Sequence, residues 1–338
     1  MDFAFTEEQT AIQDMALDFA KEQIAPHALE WDETDHFPVE VIRQTAELGM
    51  GAIYVPEDHG GSGLKRLDGA IIFEALSYGC PTVAAYISIH NMVAWMVSKY
   101  ASDAQRERWL PKLATMEWLS SYCLTEPHCG SDAAALSARA EKRGDTYVLN
   151  GVKQFIYGAG TSDFYFVFAR TSDDGARGIS AFAIEKDAPG LGFGANERKM
   201  GWNAQPTAQV ILENCEVPAE NLIGQEGEGF RFAMSGLDGG RINIGACSLG
   251  AAWSALDKTR DYIFERKAFG RELASFQAMQ FRIADMASDL DASRLMIWRA
   301  ADALDRADPN ATRYSAMAKR YATDLGFEIC NQALQAHG

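Results

Sequence analysis

The sequence predicts an α+β protein of several domains: a helical N-terminal domain over residues 1–118, a central antiparallel β-domain over 119–225 and a C-terminal helical bundle over 226–338. Three observations carry this. Apolar residues recur with a helical period before Trp118 and again beyond Gly227, and between them lie short β-rich runs separated by turn residues. At 338 residues the chain also exceeds the roughly 250–300 that one hydrophobic core serves.

In the N-terminal part, Thr6 and Gln9 have capping-box spacing, and Ile12, Met15, Ala16 and Phe19 follow on one face until Pro26 interrupts. A further helix is expected from Pro38 to Gly49. Val55 to Leu64 holds three glycines in neither dinucleotide-fold nor P-loop register and reads as a loop. In the middle, Thr146 to Leu149 and Val152 to Tyr157 flank Asn150-Gly151, a hairpin signal. Phe164 to Arg170, Ile179 to Lys186 and Gln209 to Val217 are further strands, and the absence of helical period between them disfavours a doubly wound sheet. Beyond Ser275, Met279, Ile283, Met286, Leu290 and Ile297 mark a long amphipathic helix ending before Asp308-Pro309, and a similar pattern runs to Gln335. Gln335 to Gly338 reads as a helix exit, so a last bundle helix is expected to be missing.

Charge narrows the partners. Lys and Arg number 31 against 47 Asp and Glu, a formal net charge of -16, which disfavours nucleic acid. No run approaches the roughly 18–20 apolar residues of a membrane span, and the N-terminus lacks a leader pattern. The six cysteines form no CxxC and are expected as free thiols, and the six histidines show no metal-ligand spacing, so no metal is expected.

Three segments concentrate chemistry. Ser121 to Asp132 is a polar junction at a domain boundary, where Thr125, Ser131 and the N–H groups around Gly130 suit phosphates or ring acceptors, or form a plain turn. Asp238-Gly239-Gly240-Arg241 sets an acid and a base one helical turn apart. Arg266 to Gly270 offers two cations and an aromatic ring, either to a pyrophosphate or to last-turn carbonyls of a helix.

In their order and spacing these segments resemble the acyl-CoA dehydrogenase family over essentially the whole chain, through YCLTEPHCGSD (Tyr122 to Asp132), VKQFIYGAG (Val152 to Gly160) and RKAFGRELASFQ (Arg266 to Gln277). Segments such as GWNAQPT (Gly201 to Thr207) and EICNQALQAHG (Glu328 to Gly338) point to the branch acting on short branched acyl thioesters. The resemblance implies a flavoprotein oxidoreductase that uses FAD to convert isobutyryl-CoA to methacrylyl-CoA in valine catabolism. Its partners would be an electron-transfer flavoprotein and three further copies in a homotetramer, in the cytoplasm of a bacterium or the mitochondrial matrix of a eukaryote. Another short or 2-methyl-branched acyl-CoA dehydrogenase, an acyl-CoA oxidase and a non-catalytic FAD- or CoA-binding relative are the alternatives.

By the same resemblance Tyr122, Leu124, Thr125, Gly130 and Ser131 meet the flavin, and Phe155, Ile156 and Tyr157 line its other flank. Arg266, Phe269, Gln277, Gln335 and Gly338 clasp the adenosine half of a neighbouring subunit's FAD, and Ser131, Asp238 and Arg241 contact acyl-CoA. His128, Cys129 and Tyr157 depart from the family pattern, which has small or hydroxyl-bearing residues there. The general base, a Glu, is expected beyond Gly338.

Overall fold

The computed structural model describes residues 3–338. Helix α1 (Glu7–Phe19) starts at the expected capping box: the Gln9 N–H donates to the Thr6 hydroxyl and the Thr6 N–H to the Gln9 side chain, both at 3.2 Å. It widens into a π-helical turn at Ala20–Ile24 and stops before Pro26. There follow α2 (Ala28–Glu33), α3 (Val39–Glu47), α4 (Arg66–Gly79), α5 (Pro81–Tyr100) and α6 (Asp103–Ala114). Eight strands come next: β1 (Ser120–Cys123), β2 (Arg139–Arg143), β3 (Thr146–Tyr157), β4 (Phe164–Arg170), β5 (Ile179–Glu185), β6 (Leu191–Phe193), β7 (Thr207–Pro218) and β8 (Leu222–Ile223). Helix α7 (Gly229–Glu265), the small strands β9 (Lys267–Ala268) and β10 (Arg271–Glu272), α8 (Gln277–Asp305) and α9 (Ala311–His337) complete the described chain.

The chain forms two compact units. One holds residues 3–29, Lys65–Ala85 and Asp238–Gly338; the other holds Glu30–Leu64 and Tyr86–Leu237. In the helical unit the helices approach closely through glycine. A Cβ at Gly250 would collide with the Glu74 carbonyl, and one at Gly326 with the Ser248 hydroxyl. Glu74, nearly buried, is paired with Arg294 at 2.5 Å, and the Asp305 carboxylate caps α4 by accepting from the Arg66 N–H at 2.9 Å.

In the second unit the strand order is β6-β7-β3-β2-β4-β5-β8, with β1 also on β4. Strand β4 is buried on both faces, so its two sides feed different cores. Phe164, Phe166 and Phe168 pack with Trp109, Leu110 and Leu113 of α6, while Tyr165, Val167 and Ala169 pack among residues of β2, β3 and β7.

Two expectations fail here. The β-domain is not antiparallel throughout: β1 runs parallel to β4, Ser120 opposite Phe164, because the intervening β2–β3 excursion turns the chain twice before it returns. Asn150-Gly151 is no hairpin turn. β3 passes straight through it with a register slip against β7 between Leu149 and Gly151. Gly151 is glycine because a Cβ would lie 2.8 Å from the Ala138 Cα, and the tight turn sits earlier, at Gly144 with φ 62°.

Candidate active site

The loop that leaves β1 is held by one buried carboxylate. Glu126 and Cys129 exchange backbone hydrogen bonds at 2.9 and 3.1 Å across Pro127-His128. The Glu126 side chain, 3% exposed, accepts from the Ser137 N–H at 2.6 Å, the Ser137 hydroxyl at 3.0 Å, the Ala138 N–H at 3.0 Å and Lys153 Nζ at 2.7 Å. Burial works against its charge, but the Lys153 ammonium and these donors outweigh it and hold the carboxyl below its ordinary value. Lys153, fully buried on β3, also donates to the Leu124 carbonyl at 3.2 Å. With the Gln154 N–H on the Thr125 carbonyl (2.8 Å) and the Ser121 hydroxyl on the Tyr157 carbonyl (2.5 Å), these bonds stitch Tyr122 to Ser131 alongside Phe155 to Tyr157. The two segments singled out in the sequence are thus brought together. Lys153 was missed; its one signal is a lone cation inside an apolar strand.

What these segments present is unusual. The β3–β7 register slips between Lys153 and Ile156, and Phe155 takes a left-handed φ of 58° with its side chain 59% exposed. Such a conformation costs about 1–3 kcal/mol for a bulky residue. Trp202, φ 60°, is strained in the same way, and its ring meets that of half-buried Tyr157 edge-on at 6.2 Å. Ile156 is buried between them in sequence, and Gly158 (φ 77°) must be glycine because a Cβ would strike the Tyr86 ring at 2.8 Å. Among the described residues the hydroxyls of Thr125, Ser131 and Tyr157 and the N–H groups of Gly130 and Ser131 have no hydrogen-bond partner. Leu124 is buried, and the Tyr122 hydroxyl is spent on the Ala233 carbonyl at 3.4 Å.

In the helical unit the predicted residues fall at two places. Asp238 and Arg241 form an ion pair of 2.6 Å on α7, and Asp238 also accepts from the Thr312 hydroxyl at 2.6 Å. Arg266 lies beyond the far end of α7, about 40 Å along the helix at 1.5 Å per residue. Arg266 closes the last turn of α7, its N–H donating to the Tyr262 carbonyl at 2.8 Å, and β9 and β10 then make a hairpin whose turn is Phe269 (φ 52°) and Gly270 (φ 78°), which leaves Phe269 96% exposed. Its ring meets Phe276 at 6.2 Å, next to Gln277 at the start of α8. The end of α9 returns to the same region, where His337 stacks on Tyr262 at 4.2 Å, one turn before Arg266. Arg266, Phe269, Gln277, Gln335 and Gly338 therefore gather at one end of the helical unit, and Asp238 with Arg241 stands apart from them.

Family models for the N-terminal, middle and C-terminal domains of acyl-CoA dehydrogenase match residues 6–117, 121–215 and 227–338. The chain belongs to the acyl-CoA dehydrogenase family. It is 53% identical to isobutyryl-CoA dehydrogenase, mitochondrial, of Bos taurus over 98% of this chain and 80% of that one. It is 54% identical to isobutyryl-CoA dehydrogenase, mitochondrial, of Dictyostelium discoideum over the same shares. Butyryl-CoA dehydrogenase from Megasphaera elsdenii superposes with a TM-score of 0.97 at 36% identity, over 100% of this chain and 90% of that one.

For an acyl-CoA dehydrogenase, two carboxylates of these motifs are already committed. Glu126 accepts from four donors and Asp238 from Arg241 and Thr312, so each is engaged in holding its own surroundings. Five of the six cysteines are buried and all six are unpaired thiols. No helix among the described residues is long and apolar enough to cross a membrane.

Proposed function

We propose that this chain is a flavin-dependent dehydrogenase of a short branched acyl-CoA, converting isobutyryl-CoA to methacrylyl-CoA as in valine catabolism. The observation that carries this is the unspent donor set of Thr125, Gly130 and Ser131 beside the strained Phe155 bulge. FAD fits that set. Its ring needs hydrogen-bond donors at its edge and a flat apolar flank, and its pyrophosphate needs N–H groups or Arg. When held there, FAD would supply a hydride acceptor for the substrate's β-hydrogen.

The chain's own residues orient the reactants. Thr125 and Ser131 donate to the ring edge, and Phe155, Ile156 and Tyr157 close its flank. Tyr157 stands where the family pattern has a Ser or Thr, so its hydroxyl reaches farther from the strand than theirs. Arg266, Phe269, Gln277, Gln335 and Gly338 hold the adenosine half of a neighbouring subunit's FAD, in a homotetramer. Asp238 and Arg241 contact the acyl-CoA. The proton acceptor, by the family resemblance, is a Glu beyond Gly338. Electrons leave to an electron-transfer flavoprotein. The protein works in the cytoplasm of a bacterium or the mitochondrial matrix of a eukaryote.

Denaturing the purified protein should release FAD, and anaerobic isobutyryl-CoA should bleach the holoprotein once a Glu-Gly-bearing C-terminal segment follows Gly338. The same segment with Gln for that Glu should lose about 10²–10⁴-fold in rate. Bleaching by straight-chain butyryl-CoA but not isobutyryl-CoA would move the substrate within the family, and release of a nicotinamide would overturn the reading.

A further inference from the structure

The tight turn that carries the flavin loop also brings together three side chains of metal-binding type. Ligand atoms of Glu126, His128 and Cys129 all lie within 4.8 Å of one another, with His128 Nε2 3.7 Å from Glu126 Oε2. We propose that Glu126, His128 and Cys129 bind a thiophilic divalent cation such as Zn²⁺, with water in the fourth position. Sequence spacing did not reveal this, because E-x-H-C matches no standard metal motif; the Glu126–Cys129 backbone exchange folds the four residues into one ligand face.

The chemistry of each group is suited to the task. Tetrahedral zinc places its ligand atoms about 3.3–3.6 Å apart, given bonds of about 2.0–2.3 Å. The widest separation must therefore contract by up to about 1.2–1.5 Å. His128 can supply that movement, being exposed and restrained only by a 3.3 Å contact from Nε2 to the Ala135 carbonyl. Burial opposes the charge of Glu126, but Lys153 and its hydrogen-bond donors favour the ionised carboxylate. Its Oε2 has two lone pairs, so it can keep the Ser137 N–H at 2.6 Å and exchange only the Ser137 hydroxyl for metal. Cys129 is buried, and burial with the Glu126 charge beside it favours the thiol, so a bound cation would have to displace the proton; the resulting thiolate with the Glu126 carboxylate would neutralise a divalent charge. Lys153 opposes the cation from the far side of Glu126. The family pattern that the sequence resembles has a small residue at His128 and a small or hydroxyl-bearing one at Cys129. Metal here would brace the loop between Thr125 and Ser131.

Cobalt(II) is the probe, because thiolate ligation gives it a charge-transfer band that oxygen and nitrogen ligands do not. The FAD-loaded protein should take up one Co²⁺ with that band, and Zn²⁺ should displace it and shield Cys129 from alkylation. Cys129→Ser should abolish the band, and His128→Ala should weaken Zn²⁺ binding by more than the roughly 10–100-fold that loss of a supporting group costs. Both variants should keep the wild-type circular dichroism, since neither residue bears the Glu126–Lys153 pair. A band that persists in Cys129→Ser, unchanged affinity in His128→Ala, or no Co²⁺ retained by the wild type would each overturn the proposal.

Discussion

The two places proposed to hold the dinucleotide are built on opposite principles. The loop beside β3 is fixed before any ligand arrives: the Glu126–Lys153 pair is buried, four donors converge on one carboxylate, and strained backbone is held at Phe155. The α7–β9 end is the reverse, with Phe269 standing in solvent at a two-residue turn and Arg266 exposed beside it. A rigid edge suits the ring where chemistry demands alignment within fractions of an ångström. An exposed cation and ring suit a group that a partner must bring.

The largest effect should follow from breaking the rigid half. Lys153→Met leaves Glu126 buried without its cation and should cost about 3–5 kcal/mol of unfolding free energy, read as a shift in the urea midpoint. The deficit should depend on pH. In the parent protein the Glu126 carboxyl is held below its ordinary value of 4.5, so its contribution is complete above that value and fades as pH falls through the lower folded value. In Lys153→Met protonation relieves the unpaired charge instead, so the gap between the two proteins should narrow in acid. A gap that stays constant from neutral pH to acid would show that the ion pair is not what holds the loop.

At the exposed end the effects should be on binding and not on folding. Arg266→Ala should weaken FAD retention by about 1.5–3 kcal/mol, the scale of a charge-assisted hydrogen bond, measured by equilibrium dialysis. Its urea midpoint should stay within about 0.5 kcal/mol of the parent, as for other surface changes. Smallest in stability is Phe269→Ser, which should change unfolding even less yet shift light scattering towards smaller species. A stable, flavin-loaded monomer in the parent protein would remove the reason for an exposed Phe269.

How far the sequence carried these conclusions depended on range. Thr6 with Gln9, Pro38 with Gly49 and the stop before Asp308-Pro309 are local signals, and helices formed where they said. Asn150-Gly151 misled because glycine answers to two needs: the pair was read for its turn propensity, while the structure uses Gly151 for close approach to Ala138. The parallel pairing of β1 with β4 was illegible, since nothing in four residues states a partner 44 positions on. The same holds for the site. Tyr122 to Ser131 and Phe155 to Tyr157 stand out as motifs, but Lys153, which joins them, shows in the sequence only as a lone cation in an apolar strand, and its role needs the burial of β3.

That parallel pairing sets a clock on assembly. β1 has no strand to join until β4 has been made, and at about 5–20 residues per second the ribosome needs some seconds to supply it. Closing so long a loop pays its entropy before contacts repay it. During that interval Thr125 and Ser131 hang from an unpaired segment with no defined geometry. Cofactor capture is for this chain an event that follows folding of the sheet and cannot nucleate it, so scarcity of flavin should leave folded apoprotein and not an unfolded chain.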